Sequence, residues 1–130
     1  MESFLSIFKL LSAFLIILSL GIKLASATET AGIEKTFNKC KTCHQIGTEA
    51  KNLVGPHLNN IENRLIGSVE DFKYSNALLK LKKQGISWDQ KMLDQYLMAP
   101  KKFIPGTKMN FSGIKNAVER QEIINFMWQL

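Results

Sequence analysis

The sequence predicts an all-α fold of about four or five helices in one domain. Three observations support this prediction. The chain has 130 residues, a usual size for a single domain. Apolar residues recur three and four positions apart in several segments, as they do in helices that bury one face. Glycine and proline separate these segments, and none of them shows a pattern that predicts a strand.

The first element is an apolar N-terminal segment. Between Lys9 and Lys23 lie 13 uncharged residues, and an Ala-Ser-Ala sequence ends at Ala27. This pattern is typical of a cleaved secretory signal peptide, which would make residues 1–27 the signal and residues 28–130 the mature domain. The alternative is an uncleaved membrane anchor over residues 1–27, in which both lysines reach towards the interface. Either interpretation exports the rest of the chain.

The next element is a helix with Phe37 on its apolar face, which leads into the chain's only two cysteines. Cys40, Cys43 and His44 form a Cys-x-x-Cys-His sequence, the pattern of a c-type haem attachment site. Residues three and four apart lie on one face of a helix. Two thiols can therefore add to the two vinyl groups at one edge of the porphyrin, while the imidazole of His44 lies beneath the iron as its proximal ligand.

Other interpretations of the cysteine pair have weaker support. A thioredoxin-like dithiol needs a βαβ context, which this sequence does not show. A structural zinc site needs four ligands, but the chain has only two cysteines and two histidines, and the second histidine, His57, lies in a loop-like segment. A disulfide between Cys40 and Cys43 would close a very small loop and stabilise the fold little. We therefore predict haem attachment.

Five further elements follow in order, and glycine, proline and asparagine mark their ends. The predicted series is a loop over 45–60, a helix over 71–83 ended by Gly85, a helix that Ser87 caps and Pro100 ends, an aperiodic segment over 101–113 and a last helix over 116–130. We interpret His57 as a residue of the loop rather than as a ligand. The last helix is expected to bury Val118, Ile123, Phe126, Met127 and Leu130.

One methionine is placed to reach the far face of a bound haem. Met92 and Met127 fit apolar helix faces and are interpreted as core, and Met98 ends a helix. Met109 lies in the aperiodic segment after a Pro-Gly turn. Such a segment can wrap a flat cofactor and present one side chain to it. Position and local sequence therefore favour Met109 as the second ligand.

Several marks along the chain are shared with one known family. They are FNKCKTCH at 37–44, GPHL at 55–58, Arg64, GISW at 85–88, YLMAPKKFIPGTKM at 96–109 and the C-terminal helix. On these marks, residues 32–130 resemble the class I cytochromes c, the small haem proteins related to mitochondrial cytochrome c and its bacterial counterparts. The resemblance implies a cytochrome c fold wrapped around one covalent haem c, with His44 and Met109 as the axial ligands of the iron.

The resemblance also implies roles for residues around the haem. The carbonyl of Pro56 would accept a hydrogen bond from the Nδ1–H of His44, which orients the ring and raises its basicity. The side chains expected around the haem propionates are Arg64, Tyr74 and Trp88. Those expected beside the methionine are Tyr96 and Thr107.

Two departures from the family pattern bear on the fold. The family crosses its first and last helices through aromatic side chains, here Phe37 and Phe126. A glycine usually precedes the first aromatic by four residues, but here Gly32 precedes Phe37 by five. The stretch at 74–85 is three residues longer than in the mitochondrial form.

The charge of the chain suggests its partners. Lysine and arginine number 17 against 11 acidic residues, which gives a formal charge of +6. This balance suits an acidic protein, an anionic membrane or nucleic acid, and no nucleic-acid-binding motif appears. By resemblance, five lysines ring the exposed haem edge: Lys39, Lys41, Lys101, Lys102 and Lys108. The family implies a quinol-oxidising cytochrome complex as electron donor and a terminal oxidase as acceptor, and we expect a monomer.

A histidine and a methionine on opposite faces leave the iron no open position, which favours electron transfer over oxygenase or peroxidase chemistry. We therefore predict a one-electron carrier of a respiratory chain rather than an enzyme. We expect it in the periplasm, soluble after signal cleavage or else anchored to the inner membrane. Two alternatives stay open: a small haem-c peroxidase or gas sensor with a labile sixth ligand, and a haem-free module with a Cys40–Cys43 disulfide.

Overall fold

A computed structural model describes residues 37–129 of the chain. This part of the chain contains five helices and no strand, and a single antiparallel bridge joins Leu65 to Ser87. The helices are α1 (residues 37–41), α2 (Asn76–Lys83), α3 (Gln90–Met98), α4 (Pro100–Phe103) and α5 (Ala117–Trp128). The prediction of an all-α fold is confirmed. Within the described range, no helix is long and apolar enough to cross a membrane. The predicted signal or anchor over 1–27 lies outside that range.

The first and last helices meet through an aromatic contact. The rings of Phe37 in α1 and Phe126 in α5 pack edge to face with their centroids 5.4 Å apart. Phe37 is only 1% exposed, and Lys39 forms an ion pair with Glu119 between the same two helices. The contact that the resemblance implies is therefore present, although the glycine before Phe37 is displaced by one position in the sequence.

Helix α2 begins at Asn76, five residues later than the sequence predicts. Two local features set this start. Asp71 adopts a left-handed backbone with a φ of 56°, which a right-handed helix excludes. The hydroxyl of Ser75 then caps the helix by accepting a hydrogen bond from the Leu78 N–H. The predicted terminator, Gly85, follows the helix with a φ of 71°.

Helix α3 is capped by Asp89 and not by Ser87, so the predicted cap is wrong. The Asp89 carboxylate accepts a 2.6 Å hydrogen bond from the Met92 N–H. The residues on either side of Ser87 are instead bonded outside the helix, because the Trp88 N–H donates to the Arg64 carbonyl and the Ile86 carbonyl accepts from the Ile66 N–H. Helix α3 ends before Pro100 as predicted, and Pro100 opens α4, where its missing N–H costs nothing.

Asn116, where the sequence starts the last helix, caps α5 by accepting from the Glu119 N–H at 3.2 Å, and the helix buries only part of the predicted set. Ile123 and Met127 are buried as predicted, Phe126 is partly buried, and Leu130 lies outside the described residues. The buried residues of α5 recur three or four positions apart and are Arg120, Ile123, Ile124 and Met127. Val118 is 67% exposed, so its predicted burial is wrong. It lies two positions from Arg120, and residues two apart do not share a helix face.

Candidate functional site

One turn of chain brings the predicted attachment residues together. The Cys40 carbonyl accepts hydrogen bonds from the N–H groups of Cys43 and His44 at 3.0 and 2.9 Å. All three side chains are partly buried, and no disulfide joins Cys40 to Cys43. Burial and the neighbouring Cys43 raise the pKa of the Cys40 thiol to about 11, while Lys39 acts in the opposite direction. The thiol of Cys40 therefore keeps its proton at neutral pH.

A cavity of about 360 Å³ opens beside this turn. Its walls come from the turn itself, the loop at 54–64, helix α3, the segment at 107–111 and helix α5. All ten residues that the sequence predicts around the haem line it: Cys40, Cys43, His44, Pro56, Arg64, Tyr74, Trp88, Tyr96, Thr107 and Met109. His57 does not line it. The fold thus gathers residues that lie up to 69 positions apart, from 40 to 109, on one surface.

The His44 ring is oriented by the backbone of the loop. Its Nδ1 lies 2.6 Å from the carbonyl oxygen of Pro56. A carbonyl can only accept, so Nδ1 carries the proton and the lone pair of Nε2 is free for a metal. Burial lowers the pKa of His44, the bond to Pro56 raises it and the charge of Arg64 lowers it, and the net shift is downward. The neutral form, which is the form that binds a metal, is therefore favoured.

Gly55 leaves the space that the His44 ring occupies, a role that sequence reasoning does not reveal. A Cβ atom at this position would lie 2.2 Å from Cε1 of His44 and 2.7 Å from both ring nitrogens. The Gly55 N–H donates to the Cys43 carbonyl at 2.8 Å, which brings the loop against the attachment turn. The sequence feature that could have indicated this role is the glycine that opens GPHL, since a glycine permits a side chain to approach the backbone closely.

Met109 lies on the cavity wall beside a short chain of hydrogen bonds. The Thr107 hydroxyl lies 2.8 Å from the Tyr96 hydroxyl and accepts from the Met109 N–H at 3.3 Å. Burial raises the pKa of Tyr96, and the bond to Thr107 lowers it, with a net upward shift. The Tyr96 hydroxyl therefore stays protonated at neutral pH. Through these bonds, α3 supports the backbone of the segment that carries Met109.

The three predicted propionate partners line the cavity, but Arg64 is partly committed elsewhere. Its guanidinium donates to the carbonyls of Asn59 and His57 at 2.6 and 3.3 Å. A guanidinium has five N–H groups, so donors remain for a carboxylate. Burial raises the pKa of Tyr74 more than a backbone hydrogen bond and Arg64 lower it, so its hydroxyl keeps a proton to donate. Trp88 is buried against the same cavity.

The lining suits a flat, mainly apolar group with iron at its centre. The apolar part of the wall includes Leu58, Ile61, Leu78, Leu93 and Ile123. An imidazole nitrogen and a thioether sulfur are donors that iron takes in haem proteins. Among residues 37–129, no group of three or more His, Cys, Asp or Glu side chains could hold a metal ion, so the zinc interpretation has no ligand set there. The residues present fit a haem group.

Three lysines line the cavity, and one of them is new. They are Lys39, Lys73 and Lys108. Lys73 is not in the predicted docking set, although it directly precedes Tyr74, a predicted haem neighbour. The remaining predicted lysines are exposed but lie outside the cavity wall: Lys41, Lys101 and Lys102. The positive charge at the cavity thus comes from three segments: the chain before the attachment turn, the chain before α2 and the segment that carries Met109.

Two proteins of known sequence illustrate what the chain is similar to. The cytochrome c2 of Rhodoblastus acidophilus is 45% identical over 96 residues, which cover 74% of this chain and 87% of that protein. The cytochrome c of Stellaria longipes is 41% identical over 108 residues, which cover 83% of this chain and 95% of that protein. No family model matches the chain.

Two solved structures share the fold. The cytochrome cH from Methylobacterium extorquens has a TM-score of 0.67 and 40% identity, over 77% of this chain and 97% of that chain. The cytochrome c2 from Rhodospirillum centenum has a TM-score of 0.71 and 30% identity, over 76% of this chain and 95% of that chain. The shared region therefore spans nearly the whole of both structures.

Proposed function

This chain belongs to the class I cytochromes c, a family of electron-transfer proteins that carry a covalent haem c, and we propose that it is a one-electron carrier of a respiratory chain. The observation that carries the proposal is that the attachment turn and Met109 line the same cavity. The electron would come from a quinol-oxidising cytochrome complex and pass to a terminal oxidase.

Four residues would hold the haem. Cys40 and Cys43 would form the two thioether bonds, in each of which the S–H of the thiol adds across a vinyl double bond. Nε2 of His44 and the sulfur of Met109 would bind the iron. When bound, the haem supplies an iron that alternates between the ferric and ferrous states.

The remaining wall residues would set the properties of that site. The Pro56 carbonyl keeps the His44 ring in one orientation and raises its basicity. The soft sulfur of Met109 favours the ferrous state relative to a second imidazole. Donors from Arg64, Tyr74 and Trp88 would offset the charge of the propionates. The apolar wall excludes water, which disfavours the extra charge of the ferric state.

Two protein ligands leave no position for oxygen or peroxide. Because His44 and Met109 would stay bound in both oxidation states, little reorganisation should accompany the transfer of an electron. This supports an electron carrier and gives no role to a substrate pocket. The proposal therefore assigns the chain no catalytic residue.

The lysines that line the cavity would guide docking. Lys39, Lys73 and Lys108 line the cavity and would carry positive charge around the exposed edge of the haem. An acidic partner surface would be attracted to them, with an effect that salt screens. We also propose that residues 1–27 are a signal peptide and residues 28–130 the mature domain, which would work in the periplasm as a monomer, with an anchored form as the alternative.

The axial ligand can be tested by comparing two methionine variants. Met109→Ala should lower the midpoint potential and open the ferrous protein to carbon monoxide. Met98→Ala is the matched control, because Met98 is exposed and lies outside the cavity wall. It should change neither property. An unchanged potential in Met109→Ala would contradict the ligand assignment, and rapid carbon monoxide binding by the native protein would favour the peroxidase or gas-sensor alternative.

A further inference from the structure

We propose that Arg120, a residue of α5 outside the cavity wall, is a positioning residue that keeps Met109 in place. It would do so by fixing the chain at 113–115, four to six residues beyond the methionine. This inference rests on the proposed function, because it takes Met109 as the sulfur ligand. It concerns how that ligand is held, which the ligand assignment by itself leaves open.

Arg120 is a buried cation, and each of its three guanidinium nitrogens has a hydrogen-bond partner. Its side chain is 7% exposed. Nη1 donates to the carbonyls of Ile114 and Lys115 at 2.9 and 3.1 Å. Nε and Nη2 donate to the two carboxylate oxygens of Asp94 in α3 at 2.7 and 3.4 Å. One planar guanidinium therefore joins α5, α3 and the segment after Met109, which a lysine could not do with a single ammonium.

The same segment is also seated on the C-terminal end of α3. The last carbonyls of a helix have no partner within it. Here the Ile114 N–H donates to the Leu97 carbonyl and the Lys115 ammonium donates to the Met98 carbonyl, both at 2.8 Å. Gly113 passes so close that a Cβ atom there would lie 2.2 Å from the Met98 oxygen, and its φ of 91° suits only glycine. The seat is thus specific in backbone geometry.

The methionine segment is therefore held at two places. On one side, Thr107 bonds to Tyr96 of α3 and to the Met109 N–H. On the other side, the seat on α3 is locked by Arg120, whose bonds hold the carbonyls of the seated residues. Without the second anchor, the chain beyond Met109 could leave α3 while the rest of the protein stayed folded. Such a local opening would carry the sulfur off the iron.

The effect of Arg120 should act through the segment and not through its charge. Neither Arg120 nor Asp94 lines the cavity. The carboxylate of Asp94 lies within 2.7 Å of the guanidinium and offsets its charge. Loss of Arg120 should therefore change how often Met109 leaves the iron, with little direct electrostatic effect on the site.

The test measures binding of imidazole to the ferric holoprotein. At saturating imidazole, the binding rate equals the rate at which Met109 leaves the iron. Arg120→Met should raise this rate about tenfold or more, because the bonds of Arg120 must break as the segment opens and each hydrogen bond to a charged donor is worth about that factor. Arg120→Lys keeps the charge but not the fork and should give a smaller increase. If Arg120→Met does not fold, Arg120→Lys and Asp94→Asn carry the test in the same direction.

A control of similar stability separates positioning from general weakening. Phe126→Leu loosens the contact of α5 with α1 but leaves the bonds of Arg120 intact. It should lower the free energy of unfolding yet leave the saturating imidazole rate within about twofold of the wild type, because the opening is local. Equal acceleration in Phe126→Leu and Arg120→Met at matched stability would overturn the proposal. So would an unchanged rate in Arg120→Met.

Met109→Ala distinguishes a wrong ligand assignment from a wrong positioning role for Arg120. This variant should bind imidazole without a limiting rate, because no sulfur has to leave. If it behaves like the wild type, Met109 is not the ligand and the proposed function fails with it. If it behaves as expected while the Arg120 variants do not, only the positioning role is wrong.

Discussion

A methyl group added at Gly55 should displace the His44 ring, although it should cause no strain in the local backbone. A Cβ atom there would lie 2.2 Å from Cε1 of His44, whereas ordinary contact begins near 3.4 Å, so the ring must move by about 1.2 Å. The ring cannot move that far and keep the 2.6 Å bond from Nδ1 to the Pro56 carbonyl. The φ of Gly55 is not in the left-handed region, so backbone strain adds nothing.

The expected cost of Gly55→Ala follows from these two effects. Overpacking costs about 1–3 kcal/mol, and the lost hydrogen bond costs about 1 kcal/mol. The free energy of unfolding of the ferric holoprotein should therefore fall by about 2–4 kcal/mol. Unfolding in guanidinium chloride, followed by tryptophan fluorescence, measures this change. The midpoint potential should shift as well, because the proposed proximal ligand loses its orientation.

Gly85→Ala is the matched control for this prediction. Gly85 has a φ of 71° and nothing within 4 Å of the added atom, so only backbone strain applies. That strain costs about 1 kcal/mol, and the potential should not change. A free energy of unfolding of Gly55→Ala within about 0.5 kcal/mol of the wild type, at an unchanged midpoint potential, would contradict this prediction.

Three further predictions concern the core, the docking surface and pH. Ile124→Ala should lower the free energy of unfolding by about 2–5 kcal/mol, because Ile124 is fully buried. Val118→Ala should change it by no more than about 0.5 kcal/mol in the same denaturant titration. Equal losses in the two variants would contradict the assignment of the buried face of α5. Lys108→Glu should slow electron transfer to an acidic oxidase about tenfold at low salt and little at high salt. The control Lys83→Glu, at the last lysine of α2, should have a small effect at either salt concentration. Slowing that does not depend on salt would contradict the docking role of Lys108. The hydrogen bond from Arg120 holds the pKa of Asp94 below its ordinary 3.8, so the stabilisation is complete above that pH and is lost as the pH falls below it. Below about pH 4, the free energy of unfolding should therefore decline less steeply with falling pH in Asp94→Asn than in the wild type. Parallel declines in the two proteins would show that this ion pair does not contribute to acid stability.

The sequence specifies the residues around the cavity better than it specifies where helices begin. The spacing of Cys40, Cys43 and His44 dictates one helical turn, and that turn forms. Position and local sequence favour Met109, the resemblance implies it as a ligand, and the fold places it in the same cavity as the turn. The start of α2 was missed because Asp71 takes a left-handed backbone, which no apolar periodicity reports. The cap of α3 was missed because the backbone on both sides of Ser87 is bonded to Arg64 and Ile66, which are distant in sequence.

Residues that act through packing were also beyond the reach of pattern reasoning. Arg120 reads as a surface cation from its residue type, yet tertiary contacts with Asp94 and two carbonyls bury it. Gly55 has a role only because the His44 ring lies against it. Val118 was assigned to the core by hydrophobicity, and the face that α5 turns inward excludes it. Each case depends on which residues are neighbours in the folded protein, and these tertiary contacts cannot be derived from a single sequence.

A redox titration of the native protein with and without carbon monoxide tests directly whether His44 and Met109 bind the iron in both oxidation states. We expect a visible haem spectrum and a reversible one-electron transition. The midpoint potential should be the same with and without carbon monoxide, because His44 and Met109 would fill the coordination of the iron. A potential that rises under carbon monoxide would mean that the ferrous iron has an open or labile position, and the chain would not be a simple electron carrier. A protein without visible absorption, from cells that mature c-type cytochromes, would contradict the haem site itself.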